Sequence, residues 1–182
     1  MEIRSVTKRF KHGLTIFSIY CLYVTAFPKA ERVAFRSLLS QSNTMWEREL
    51  LAFYSKKKFI GFAYLISQND LTFISFLAVT SRKRSNGLGF RILQSIKKLK
   101  PEQTIILEVE RLDPAYENYQ QRVKRKRFYE KNQFVNSEIC FKAFDVEYEL
   151  LIYGHRAITQ NEFSEFYYQL TNHRIELQPC NL

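Results

Sequence analysis

The chain has 182 residues, enough for one domain with a full core, and its 46% hydrophobic and 15% aromatic content excludes a disordered polypeptide. Lys and Arg total 28 against 18 Asp and Glu, a net charge of +10 at pH 7 that favours anionic ligands, acidic partners or nucleic acid. Cys21, Cys140 and Cys180 are far apart and form no Cys-x-x-Cys pair, and His12, His155 and His173 sit in no metal-ligand spacing. A reduced, cytoplasmic protein without structural metal is expected.

Residues 2–7 alternate weakly and predict a first strand. Lys8-Arg9-Phe10-Lys11 followed by an apolar run to Phe27 imitates a secretory signal. Thr15, Ser18, Tyr20, Tyr23 and Thr25 interrupt that run, and it is too short to span a bilayer. It is therefore read as a buried helix over residues 11–26, with no membrane partner. Pro28 suits the first turn of a second helix, residues 29–39, with Val33, Phe35, Leu38 and Leu39 as its apolar side. Residues 49–54 and 59–66 are β-rich and joined by Ser55-Lys56-Lys57-Lys58, a hairpin by pattern. Gly61 inside the second strand signals a bulge or a close backbone contact.

Gln68-Asn69-Asp70 turns the chain into Phe73-Ile74-Ser75-Phe76-Leu77-Ala78-Val79, a strand. Arg84-Ser85-Asn86-Gly87-Leu88-Gly89 follows, and Leu88, Ile92, Leu93, Ile96 and Leu99 then recur at helical spacing up to Pro101. Two glycines at a helix start leave backbone N–H groups uncovered, a setting that suits phosphate. No Gly-Lys-Ser/Thr run completes a P-loop, and Ile92 stands where a dinucleotide-binding turn needs its third glycine.

Residues 104–110 predict a strand with Glu108 and Glu110 on one face, and residues 116–132 a basic helix. Strands over residues 134–144 and 147–152 follow. Ile158-Thr159-Gln160-Asn161-Glu162-Phe163 then carries a capping box with a hydrophobic staple, opening a last helix striped by Phe163, Phe166, Tyr167 and Leu170. The reading is one α/β (α+β) unit, a domain over residues 1–154 with a helical extension, 155–182, packed on it.

Arg-x-x-Gly-x-Gly after Leu-Ala-Val resembles the pyrophosphate loop of the GNAT-type N-acetyltransferases. Phe27-Pro28-Lys29-Ala30-Glu31-Arg32, Gly61-Phe62-Ala63-Tyr64, Leu107-Glu108-Val109-Glu110 and Arg127-Phe128-Tyr129-Glu130-Lys131-Asn132-Gln133-Phe134 are similar to further motifs of a bacterial branch of that family. The resemblance runs from Met1 to Gly154. It implies a mixed, mostly antiparallel central sheet with helices on both faces, and acetyl transfer from acetyl-coenzyme A directly to a primary amine, without metal.

By that resemblance Leu77, Ala78, Val79, Arg84, Ser85, Asn86, Gly87, Leu88, Gly89, Phe90, Asn118 and Arg125 would hold the cofactor. Tyr129 would be the general acid, Glu110 or Glu108 the base, and Glu31 would border the acceptor. Gln133 departs from the family, which normally has glycine there in a left-handed helix cap, at a cost of about 1 kcal/mol. The acceptor is left open among small amines and peptides, and a homodimer is compatible with the sequence. Two other classes stay open: a coenzyme A-binding protein without turnover, and a nucleic-acid binder using Lys124-Arg125-Lys126-Arg127. That run is read as a solvated helix face rather than a nucleic-acid surface.

Overall fold

The computed structural model describes residues 1–6, 13–40, 42–80, 87–143, 145–154 and 156–180. Among them the chain is mixed α/β, mostly antiparallel, as the sequence predicts. The strands are β1 (Glu2–Ser5), β2 (Glu47–Ser55), β3 (Lys58–Gln68), β4 (Leu71–Val79), β5 (Thr104–Glu110), β6 (Val135–Ala143), β7 (Val146–Tyr153) and β8 (Gln178–Pro179). The helices are α1 (Gly13–Ala26), α2 (Leu88–Leu99), α3 (Tyr119–Lys131) and α4 (Gln160–Leu170). The chain divides into two compact units, Met1–Ile105 and Ile106–Leu182, a division that falls inside β5.

In the first unit the strand order is β1-β2-β3-β4, each pair antiparallel. The β2–β3 hairpin turns on Lys56 and Lys57, both in the left-handed region at φ 48° and 61°, as a tight hairpin requires. Gly61 and Phe62 are consecutive on β3 and so point to opposite faces. Tyr23 and Phe27 of α1 pack edge-on to Phe62 and Phe76, with centroids 5.0–6.4 Å apart. A Cβ on Gly61 would lie 3.2 Å from Ile92 of α2, so α2 covers the other face. It would also lie 2.3 Å from the Ala78 carbonyl oxygen, so glycine here permits a close approach of the β4 backbone. Opposite Tyr64 and Leu65 of β3, β4 presents Phe76 and Ile74, which makes Ser75 an extra residue and β4 a bulged strand.

Two expectations for this unit need correction. Residues 29–39 do not form one helix: two short 3₁₀ turns, Lys29–Glu31 and Phe35–Leu39, flank extended backbone at Arg32 (ψ 130°) and Ala34 (ψ 125°). Leu38 is buried while Val33 is half-exposed at 51%, so little apolar burial is available to offset the cost of ordering a longer helix. Nor is α1 buried all round. Ile19, Leu22 and Tyr23 are buried, whereas Leu14 (87%) and Phe17 (65%) are exposed, because a helix laid on a sheet buries one side only.

The second unit has the order β5, β7, β6, β8. Phe141 of β6 meets Phe163 and Tyr167 of α4 at 5.1 and 6.2 Å, so the C-terminal helix packs on this unit's strands. The capping box forms as predicted on its N-cap side: Thr159 Oγ1 accepts from the Glu162 N–H, while the Glu162 carboxylate pairs with Arg156 at 2.7 Å. The expectation of reduced cysteines is overturned. β8 pairs with β6, and Cys140 and Cys180 are joined in a disulfide with Cα atoms 5.3 Å apart. Forty residues separate them, so only the strand pairing brings them together. Cys21 is free and exposed.

Candidate functional site

In the first unit the predicted cofactor residues fall at the end of β4 and the start of α2. Ala78 is buried and Leu77 and Val79 are half-buried; they pair with Phe62, Ala63 and Gly61 of β3. Gly87 is the N-cap of α2 in the left-handed region (φ 68°), with nothing within 4 Å of where a Cβ would sit. Its carbonyl accepts the Arg91 N–H at 3.1 Å, and among the described residues no side chain caps the helix. The N–H groups of Leu88, Gly89 and Phe90 belong to the first turn, which lacks intrahelical acceptors and carries the positive end of the helix dipole. No acidic residue occupies that turn. Arg84, Ser85 and Asn86 lie outside the described residues. Glu31 sits in the first 3₁₀ turn, half-buried.

In the second unit β5 and α3 carry the chemistry. Glu110 is buried, at 5% exposure, and its carboxylate meets two arginines of α3: Arg125 donates to Oε2, and Arg122 Nε lies 3.5 Å from Oε1. Asn118 Nδ2 donates to Oε1 at 3.4 Å. Arg122, 6% exposed, also donates to Asn118 Oδ1 (2.8 Å) and to the Arg111 carbonyl (3.0 Å), and its guanidinium lies 3.9 Å over the Tyr116 ring. A carboxylate held by two cations makes a strong anchor. This geometry gives Glu110 the part of an anchor and engages Arg125 with a carboxylate. Glu108 is half-buried, and its charge, after burial itself, helps to push the Tyr167 phenol upward.

Tyr129 lies on the last turn of α3, and its position is set by how that helix ends. The Phe134 N–H bonds the Tyr129 carbonyl (3.1 Å) and the Gln133 N–H bonds the Glu130 carbonyl (2.9 Å), the two bonds of a Schellman cap. Gln133 is left-handed at φ 66°, as the sequence predicts for this position. The Tyr129 and Phe134 rings meet edge-on at 5.8 Å, the apolar contact that accompanies such a cap. Burial pushes the Tyr129 phenol above its usual value, with the Arg125 charge opposing, so the group stays protonated at neutral pH.

Helical spacing sets Arg122 on one side of α3 with Asn118, Arg125 and Tyr129, but sequence reasoning missed that it is buried beside Glu110. It also missed the Lys126–Glu149 pair at 2.5 Å, in which Asn136 joins at 3.0 Å. With Arg125 and Lys126 both engaged by buried carboxylates, two of the four charges in the basic run are drawn into the fold. Among the described residues one grouping has metal-ligand character, Cys140, Glu147 and Cys180 within 4.8 Å, but the sulfurs are bonded to each other.

The first unit thus holds a bulged strand and a glycine-started helix with open N–H groups, and the second a tyrosine in the last turn of α3. The family model described as Acetyltransferase (GNAT) family matches residues 16–134, and the chain belongs to that family. Among solved structures it is similar to a GNAT-family acetyltransferase from Bacteroides thetaiotaomicron, with 18% identity, TM-score 0.75, and 94% and 97% of the two chains covered. It is also similar to an aminoglycoside 6′-N-acetyltransferase from Enterococcus faecium (17% identity, TM-score 0.63, 87% of this chain and all of that one). A further aminoglycoside 6′-N-acetyltransferase, complexed with coenzyme A, matches at 16% identity and TM-score 0.62 over 87% of this chain and all of that one. A search of the curated proteins returned no match.

Proposed function

We propose that the protein is an acetyl-coenzyme A-dependent N-acetyltransferase that moves an acetyl group directly to a primary amine. The observation that carries this reading is the start of α2. There a left-handed Gly87 with open space beside it, no capping side chain and no acidic residue leave three N–H groups for a pyrophosphate. The residues fit the cofactor, since no described residue comes within 4 Å of where a Cβ on Gly87 would sit. Leu88, Gly89 and Phe90 would hold the pyrophosphate, with Arg84, Ser85 and Asn86 beside them in sequence. The backbone of Leu77, Ala78 and Val79 would pair with the amides of the pantetheine arm. Bound acetyl-coenzyme A supplies an activated thioester; that it accompanies a related fold as coenzyme A or acetyl-coenzyme A in other proteins supports the assignment.

The chain's own residues then do three things. A backbone N–H near Leu77 would stabilise charge on the thioester oxygen, which develops only in the transition state. Tyr129, kept protonated by burial, would give its phenolic proton to the departing thiolate. Glu108 and Glu31 would attract the cationic amine, and Glu108 would accept its proton directly or through water. Glu110 we assign to holding α3. The acceptor is a small-molecule or peptide amine.

The test is calorimetry with acetyl-coenzyme A together with a thiol-release screen over amines. Micromolar binding and acceptor-dependent thiol release are expected. Binding with no release from any amine class would leave a coenzyme A-binding protein, and no binding would refute the reading.

A further inference from the structure

We propose that the second unit holds a zinc site made of Cys140, Cys180 and Glu147, open to the metal when the disulfide between the two cysteines is reduced. The sheet brings these residues together from distant parts of the chain. On β6, Cys140 and Lys142 share a face by alternation, and Glu149 and Glu147 of β7 stand opposite them. Cys180 directly follows β8, which pairs with β6. The two sulfurs and a Glu147 carboxylate oxygen all lie within 4.8 Å of one another, near enough to converge on one ion. Two thiolates and a carboxylate are a donor set that suits zinc.

The surroundings fit as well. The backbone keeps the cysteines together without the sulfur bond: the Cys180 N–H donates to the Cys140 carbonyl at 3.1 Å, and Phe141 and Lys142 pair with Pro179 and Gln178. Of the two carboxylates on this face, Glu149 is engaged by Lys126 and Asn136, so Glu147 is the one that meets the sulfurs. Arg111 Nη1 donates to Glu147 Oε2 at 2.9 Å. A carboxylate has about four acceptor positions, so this bond orients Glu147 and leaves room for a metal, as the outer partner of a ligand does. Charge closes too: the divalent ion together with Arg111 matches the two thiolates and the carboxylate. Lys142 is paired with Asp145 at 3.3 Å. Cys140 is buried, whereas Cys180 and Glu147 are half-buried, which gives the ion a way in and water a fourth position.

A dithiol reductant supplies two electrons and two protons to the S–S bond, leaving two protein thiols and the reductant's own disulfide. Zinc then forms two Zn–S bonds and one Zn–O bond as the thiols release their protons to water. Exchange with a disulfide oxidant reverses both steps and frees the ion.

The full chain, reduced by a phosphine and stripped of metal, is titrated with zinc against a chromophoric chelator. The reduced protein should bind about one zinc per chain with a Kd below about 1 µM, and the oxidised protein at least about a hundredfold more weakly. Zinc at about a hundredfold excess over Kd should raise the Tm of the reduced protein by about 5–10 °C. Without metal, reduced wild type and Cys180→Ser should melt alike, and zinc should raise only the wild type. Affinity should fall at least about a hundredfold in Cys180→Ser and tenfold in Glu147→Gln, and stay unchanged in Cys21→Ser. Cobalt in place of zinc should show the thiolate charge-transfer band of a tetrahedral site, absent from Cys180→Ser.

Equal zinc affinity in the oxidised and reduced proteins, or in Cys180→Ser and wild type, would overturn the site. Unchanged affinity in Glu147→Gln would equally overturn the three-ligand assignment. If Cys180→Ser does not fold, the comparison of oxidised with reduced wild type decides, and none of these readouts depends on turnover.

Discussion

Gln133→Gly should stabilise the protein without altering its chemistry. Gln133 holds φ 66° at the position after α3 where a left-handed residue closes the Schellman cap. A side chain in that conformation costs about 1–2 kcal/mol, which glycine avoids. Glycine also gains conformational freedom in the unfolded chain, which takes back about 0.4–1 kcal/mol. The net expectation is about 0.5–1 kcal/mol of added stability. In a chain of this length 1 kcal/mol moves Tm by about 2–4 °C, so a rise of about 1–4 °C should appear in a thermal melt. Gln133→Ala is the control, because alanine keeps a Cβ and gains nothing. Turnover should not change, since the backbone bonds that place Tyr129 beside Phe134 remain. A Tm for Gln133→Gly no higher than for Gln133→Ala would show that a Cβ costs nothing in this left-handed position, and would refute the argument.

Tyr129→Phe keeps the ring against Phe134 and removes the acidic proton, so turnover should fall by about a hundredfold or more with acetyl-coenzyme A binding intact, read by steady-state kinetics and calorimetry. Gly61→Ala would drive a Cβ to 2.3 Å from the Ala78 carbonyl, which backbone cannot yield cheaply, and should cost about 1–3 kcal/mol in denaturant melts. Burial lowers the Lys97 ammonium to about 8 from 10.5, so unfolding takes up a proton between those pH values and stability rises with pH there. The gap in stability between wild type and Lys97→Met should change across that window and be flat below pH 8. Cys180→Ser opens a loop closed across 40 residues and should lose about 4 kcal/mol in oxidising conditions, and nothing once both proteins are reduced.

The elements that the sequence made legible are those whose signals are local. β5 falls at the residues its alternation predicts, and α4 starts at its Thr159 cap. The left-handed turn at Gln133 is what the resemblance to the family, with its glycine at this position, implies. What was hidden depends on pairings distant in the chain. The Cys140–Cys180 bond needs β8 against β6, and no periodicity announces a two-residue strand. Residues 29–39 show apolar spacing fit for a helix, yet Arg32 and Ala34 are extended because tertiary burial reaches only Leu38.

Glu110 shows why a functional reading of a strand carboxylate needs the structure. By alternation it shares a face with Glu108, and either could be a base. The difference lies on α3, where Arg122 and Arg125, three residues apart and so on one side of the helix, both reach Glu110. A carboxylate between two guanidinium groups is held in place by both. The same two contacts fix α3 against β5, place Asn118 between Arg122 and Glu110, and involve Arg125, one turn before Tyr129. This arrangement commits the Glu110 carboxylate to holding the helix that carries Tyr129.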